Sequence, residues 1–336
     1  MGSTIDNRET SPWHAGELAL QKSAAAVEKM DDIGRRVVRN TLIEQHRLFY
    51  PQLPFVIAGA VDRNGNAWAT IFTGRPGFMQ ATDAVTLSVA GRRDPTDPAD
   101  DGMENGDAIG LLGIELHTQR RNRLNGRIRR SSSSDFDLSV IQSYGNCPRY
   151  IQIRDVSFAG DRDARYHGTV ETSSGLDEEA RSIIASSDTF FVASYVGDGW
   201  DRQVDVSHRG GRPGFVRVGN DDVLTIPDFN GNLFFNTLGN ILVNGRAGLL
   251  FVDFVAGDLL QLSGTADIVL DSPEIETFQG AERLWHFHAD KCVRRKNALP
   301  IRGTKREGGE SRFSSMTGDW IEVNDRVEAL KRTDSE

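Results

Sequence analysis

The densest chemistry in the chain lies in Asp205-Val206-Ser207-His208-Arg209-Gly210-Gly211, where a hydroxyl, an imidazole and a guanidinium arrive together. The two glycines let a ligand approach the backbone closely, at Gly210 above all. An imidazole titrates near neutrality, which makes His208 the candidate catalytic proton donor or acceptor. The plainer alternative is a turn carrying ordinary polar residues.

Two other stretches could serve the same ligand. Six arginines fall between Arg120 and Arg130. On a strand, alternation puts Arg121 and Arg123 on one face and Arg120 on the other. A guanidinium fork matches phosphate oxygens, so one such face could hold a phosphorylated cofactor; the alternative is a solvated hairpin with surface ion pairs. Arg129 and Arg130 read as solvent-facing, and Ser131 to Ser134 as a turn. Further on, Asp228-Phe229-Asn230-Gly231-Asn232 and Asn236-Thr237-Leu238-Gly239-Asn240 place amides and a hydroxyl at a strand-to-helix junction. Helix amino termini favour anions, although these residues could also act simply as caps. Glu282 to Lys296 reads as a helix, on which His286 and His288 would not share a face, so no metal site is expected. Cys147 reads as a buried thiol. No dinucleotide fingerprint, Walker loop, nucleophile elbow or zincin helix is present.

These residues must be positioned by a repeated unit. Gly74-Arg75-Pro76-Gly77-Phe78 recurs as Gly211-Arg212-Pro213-Gly214-Phe215, 137 residues on. Phe55-Val56 parallels Phe191-Val192 at an offset of 136. Leu111 to Glu115 parallels Leu249 to Asp253, and Leu124-Asn125-Gly126 parallels Leu262-Ser263-Gly264, both at 138. A repeat of this length is a domain. Each copy reads as a strand, a Gly/Asn/Asp hairpin turn, a second strand entering the Gly-Arg-Pro-Gly-Phe turn, a third strand, a short helix or loop, and further apolar strands. Strands joined by turns with one inserted helix suggest a small closed barrel. At the position of Ser207-His208 the first copy has the apolar Ile71-Phe72, so only the second copy is polar enough to hold a ligand. The expected fold is mainly β with some α: tandem split barrels behind a helical segment. The expected boundaries are 1–50 helical, 51–158 first barrel, 159–185 linker, 186–302 second barrel and 303–336 flexible tail.

Composition sets the outer limits. A net charge of −9 argues against a general nucleic-acid binder. No apolar run approaches the ~20 residues that cross a bilayer, and the first residues lack a signal core. Two cysteines and no Cys-x-x-Cys rule out a disulfide framework. A cytoplasmic protein is expected.

The strings Asp205 to Gly211 with Pro213-Gly214-Phe215-Val216, Pro227-Asp228-Phe229-x-Gly231-Asn232 with Asn236 to Asn240, and Leu249-Leu250-Phe251 resemble the pyridoxamine 5′-phosphate oxidase-related FMN-binding proteins. Gln119-Arg120-Arg121-Asn122-Arg123-x-Asn125-Gly126 and Gln142-Ser143-Tyr144-Gly145-Asn146-Cys147-Pro148 resemble the two-barrel flavin-nucleotide-binding group among them. The resemblance covers roughly Ser11 to Pro300. It implies a split barrel with FMN in the cleft between two barrels. The implied contacts are Ser207, His208, Arg209, Gly210, Arg212, Pro227, Asp228, Asn232, Asn236, Thr237, Leu238 and Asn240, with Arg121, Arg123, Gln142 and Ser143 from the other copy. The basic pair that grips the phosphate in the namesake oxidases has no counterpart in Asn232 to Thr237; Arg209, Arg212 or the arginines from Arg120 onward would replace it.

The leading expectation is an FMN-dependent oxidoreductase acting on a small molecule or oxygen, served by a separate flavin or ferredoxin-type reductase. The alternatives are a flavin carrier or sensor, or a haem-binding or haem-degrading split barrel using His208, His286 or His288. Whether the chain forms a homodimer stays open.

Overall fold

Turn chemistry at equivalent places builds two sheets of one plan. In the computed structural model, which describes residues 11–130, 132–159 and 166–333, three helices come first: α1 (Ala15–Ser23), α2 (Val27–Val37) and α3 (Glu44–Phe49). His14 and Glu17 form a reciprocal capping box at the start of α1. The Ala-rich stretch breaks at Ala25, whose φ is 50°, and the turn lets Gly34 lie flat against the Trp13 ring. Tertiary packing here overrides alanine's helix propensity.

The first barrel comprises β1 (Phe55–Val61), β2 (Ala67–Thr73), β3 (Met79–Gln80), β4 (Thr86–Val89), β5 (Ala108–Glu115), β6 (Arg120–Arg129) and β7 (Phe136–Gly145). After β8 (Arg154–Phe158), β9 (Val170–Ser173) and α4 (Glu178–Ser186), the second comprises β10 (Thr189–Val196), β11 (Gln203–Gly210), β12 (Arg217–Val218), β13 (Val223–Phe229), helix α5 (Asn236–Asn244), β14 (Arg246–Val252), β15 (Leu259–Val269) and, after α6 (Pro273–Thr277), β16 (Ala281–Arg295). The chain ends with β17 (Ile301–Lys305) and α7 (Trp320–Thr333). The strand orders are β2-β1-β5-β6-β7-β4-β3 and β11-β10-β14-β15-β16-β13-β12, one order written twice. The protein is mainly β, a split-barrel fold behind amino-terminal helices.

The match extends to register. Leu111 opposes Leu124 as Leu249 opposes Leu262, and both second hairpins bulge at the same point, Asn125/Gly126 and Ser263/Gly264. The first strands correct the expected alignment: Ile57 faces Ile71 and Leu112 as Phe191 faces His208 and Leu250, an offset of 134 rather than 136. The Gly-Arg-Pro-Gly-Phe repeat is the same turn in both copies. Gly77 and Gly214 have φ of 100° and 85°, with proline before each, the requirement of a type II turn. The phenylalanine then folds onto the first glycine, where a Cβ would lie 2.4 Å from Phe78 or 2.5 Å from Phe215.

Three expectations are corrected. Glu282 to Lys296 is not a helix: all but Lys296 lies in the long strand β16, bonded to β13 and β15 on its two sides. Leu284, Trp285 and Phe287 are all buried there, which hides the alternation that would have marked a strand. The predicted linker carries β9, paired with β16, and α4. The predicted tail supplies β17, paired with β8, and α7, whose Trp320 and Val323 enter the second barrel's core. Residues 1–10, Ser131, residues 160–165 of the predicted linker and the last three residues lie outside the described residues.

The barrels meet along a seam with an apolar cluster at its centre. Phe55 and Ile57 of β1 and Leu112 and Ile114 of β5 pack against Phe191 and Leu250 of the second barrel. Glycines set the approach: a Cβ on Gly110 would lie 2.6 Å from the Val204 carbonyl, and one on Gly248 2.2 Å from that of Ala67.

Candidate functional site

At one end of this seam lies a cavity of about 110 Å³ lined by both barrels. From the first come Leu112, Arg121 and Arg123 and the turn Asn146 to Tyr150; from the second come Ser207 to Gly210, Pro227 to Phe229 and the start of α5. Strand β6 aims Arg121 and Arg123 the same way, as alternation requires.

The charges at this site do not cancel. Arg123 is buried and paired with Asp205 at 2.9 Å, whose carboxylate also accepts from Asn125 at 2.8 Å and Asn240 at 3.1 Å. Arg123 also donates to Ser207, and Thr237 donates to Ser207 at 2.9 Å. Arg209 and Arg283 share one carboxylate, Asp228, at 2.5 and 2.8 Å. Arg121 donates to the Cys147 carbonyl at 2.5 Å and pairs with no carboxylate among the described residues. Burial, offset in part by the Cys147 thiol and reinforced by Arg123 and Arg209, pushes its pKa down to about 10. It stays a cation at neutral pH, held in a place that disfavours one.

His208 is 6% exposed, and both ring nitrogens are buried without a hydrogen-bond partner. Burial, then Arg121, Arg154 and Arg209, hold its pKa well below the usual histidine value, so the ring is neutral. The amino terminus of α5 closes the far wall. Phe235 precedes it with φ of 59° and no side chain caps the helix, leaving its first N–H groups to whatever fills the cavity. Behind it, Glu17 of α1 accepts a hydrogen bond from the Asn236 amide at 2.5 Å. Burial and Asp205 push the Glu17 carboxyl up to about 8.

The structure brings Ser207, His208, Arg209, Gly210, Pro227, Asp228, Asn232, Asn236, Thr237, Leu238, Arg121 and Arg123 together in one cavity. Four predicted contacts lie elsewhere. Arg212 is turned away by the type II turn to Asp319 and Glu322, at 2.9 and 2.7 Å. Ser143 is buried against His46 at 2.8 Å, and Gln142 accepts from Asn125 at 3.2 Å. Asn240, one helical turn beyond Asn236, is buried behind the wall, bonded to Asp205 and Ser194. His286 and His288 are on β16 beside Asp267, outside the cavity. Arg129 is exposed, but Arg130 packs on the Phe136 ring, 5.1 Å from its centroid. Sequence reasoning overlooked Asn146, Arg149, Tyr150 and Arg283 as cavity residues. The first two follow directly on Gln142-Ser143, so the right segment was chosen a few residues early. Cys147 lines the cavity and is only partly buried.

Among the described residues no cluster of metal-ligating side chains is present, and no helix is long and apolar enough to cross a membrane. Fold and cavity together define a split-barrel protein with a basic site at the seam of two like barrels. No family model and no curated protein matches the chain. Among solved structures it is similar to HupZ of Group A Streptococcus (18% identity over 34% of this chain and 89% of that one, TM-score 0.27). It is also similar to a candidate pyridoxamine 5′-phosphate oxidase from Lactobacillus delbrueckii (15%, 32% and 95%, TM-score 0.25). A third is a FAD-binding protein from Mesorhizobium loti (11%, 37% and 96%, TM-score 0.26).

Proposed function

We propose that the seam cavity binds riboflavin phosphate and that the protein is an FMN-dependent oxidoreductase acting on a small molecule or oxygen. The observation that carries the reading is Arg121: a cation placed in the cavity without a carboxylate, beside the uncapped start of α5. The lining holds five arginines (Arg121, Arg123, Arg149, Arg209 and Arg283) against two carboxylates, Asp228 and Glu282, with Asp205 behind the wall pairing Arg123. That imbalance suits a phosphate better than a neutral ligand. The cavity is below the ~300–1,000 Å³ of a typical small-molecule pocket, so it suits the anionic end of a ligand whose remainder lies in the mouth.

Arg121 and the first N–H groups of α5 would hold the phosphate. Arg209, tethered to Asp228, would hold its guanidinium alongside. Neutral His208, with two unpartnered nitrogens, would offer one donor and one acceptor to polar ring atoms and hold or release a proton there. The bound flavin supplies two-electron redox chemistry at its ring. A separate flavin or ferredoxin-type reductase would recharge it, and the chain would work in the cytoplasm.

The absorption spectrum of the purified full-length protein tests the reading. A flavin spectrum that a reductase bleaches and a small-molecule acceptor restores supports the oxidoreductase. A flavin spectrum that no acceptor restores makes the protein a carrier, and a Soret band makes it a haem protein with His208 as the ligand to test.

A further inference from the structure

Two barrels of one plan, joined face to face, generate two clefts related by exchange of the barrels, and the structure contains both. The second, about 1,640 Å³, is lined by Ile71, Phe72, Leu259 and Arg295 among others. Strand register fixes the correspondence. Thr70 stands for Ser207, Phe72 for Arg209, Leu259 for Arg121, Gln261 for Arg123 and Arg295 for Asn146. The cation without a carboxylate in one cleft is thus a leucine in the other, and the tethered Arg209 is a phenylalanine.

Arg75, Arg92, Arg93 and Lys296 also line the second cleft, but the cation at a position matching the basic cavity, Arg295, is already satisfied. Arg295 is 3% exposed and pairs with Asp94 at 2.9 Å and Asp97 at 2.7 Å. The Asp97 carboxylate also accepts from Gln261 at 2.9 Å and from the Thr70 hydroxyl. Gln261 reaches across the seam to the Ala69 carbonyl at 3.0 Å. Asp97 therefore sits on Thr70, Gln261 and Arg295, the counterparts of Ser207, Arg123 and Asn146. Those are residues of the basic cavity.

We infer that each chain has one anion site, at Arg121, and that in the paired cleft the Asp97 carboxylate is a built-in anion occupying the place a ligand would take. The inference deepens the flavin reading by fixing one ligand per chain, and it rests on that reading only for the ligand's identity. Because Asp97 is covalently part of the first barrel, the anion position it fills stays occupied at any ligand concentration, whereas the Arg121 cavity can be emptied.

Thermal unfolding of the full-length protein, titrated separately with FMN and with inorganic phosphate, tests it. Wild type should be stabilised by both ligands, with FMN saturating at one equivalent per chain. Arg121→Ala should lose at least tenfold in apparent affinity for each. In the triple variant Arg121→Ala/Asp94→Asn/Asp97→Asn, phosphate should again stabilise, now through the released Arg295. Two equivalents of FMN per wild-type chain, or an Arg121→Ala variant stabilised by phosphate as wild type is, would overturn the single site. A triple variant that unfolds cooperatively but ignores phosphate would overturn the role of Asp97. Should that variant fail to fold, the FMN stoichiometry and the Arg121→Ala arm decide alone. Stabilisation of wild type by phosphate but not FMN defeats the flavin reading and leaves the single anion site standing; stabilisation by neither defeats both.

Discussion

Arg121 and Arg209 are both arginines of the cavity wall, yet their substitution should not be equivalent. Arg209 shares the Asp228 carboxylate with Arg283, so part of its charge is spent before a ligand arrives. Arg121→Ala should lower FMN affinity by about 10- to 100-fold, the loss expected for a charge-assisted contact. Arg209→Ala should cost less than Arg121→Ala, because it also frees Asp228 for Arg283; fluorescence titration of both variants ranks them. His208 gives a pH signature. Its folded-state pKa lies below the ordinary value of 6.5, so the unfolded chain takes up its proton first as pH falls. Its contribution to stability is complete above about pH 6.5 and is lost as pH falls below that value toward the depressed folded pKa. His208→Gln should therefore flatten the acid limb of a melting-temperature profile relative to wild type, leaving the carboxylate contribution in place.

At the scale of elements, the docking of α1 on α5 decides whether the cavity has a far wall. Gly16 and Gly239 touch so closely that a Cβ on Gly16 would lie 2.1 Å from the Gly239 carbonyl, and Glu17 holds Asn236 across that contact. The Glu17 carboxyl rises from 4.5 to about 8 on folding. Its contribution is thus complete below about pH 4.5 and is lost as pH rises toward 8. Glu17→Gln should remove that decline, so the variant gains on wild type in melting temperature between those limits. Which elements were legible from sequence follows the same local physics. Proline and glycine at fixed places announced the type II turns at Arg75 and Arg212, and alternation placed Arg121 with Arg123 on one face of β6. Asn236 to Asn240 was recognised as a helix start, but Asn240 lies one helical turn beyond Asn236, past the cavity, where Asp205 and Ser194 hold it. β16 was misread because consecutive residues, Arg283 to Trp285 and Cys292 to Arg295, are buried, which interrupts the period of two. Gln142 and Ser143 were chosen from a strand whose contribution comes only after it ends, at Asn146 to Tyr150.

For the whole molecule, the seam is the structural premise of the site, since the cavity exists only where two barrels meet. Gly110→Val should destabilise the protein by about 1–3 kcal/mol through overpacking against the Val204 backbone, and FMN affinity should fall with it as β5, carrying its neighbour β6, moves off β11. Differential scanning calorimetry with and without ligand measures both effects. The repeat that announces this architecture was visible from four short matches. The inequality of the two clefts was visible only in part: sequence showed the apolar Ile71-Phe72 at the position of Ser207-His208, and strand register moves the match by one residue, to His208-Arg209. It could not show that Asp97, from the loop that stands where α5 stands in the second copy, occupies the anion position of the first-copy cleft. That contact joins residues 198 positions apart, Asp97 and Arg295, and no local pattern encodes it. Diffraction from crystals of the full-length protein grown with riboflavin phosphate examines the proposal most directly. One ligand per chain is expected at the seam, its phosphate against Arg121 and the start of α5, with the Asp97 cleft unchanged; a seam cavity closed by side chains, with the flavin absent or bound elsewhere, contradicts it.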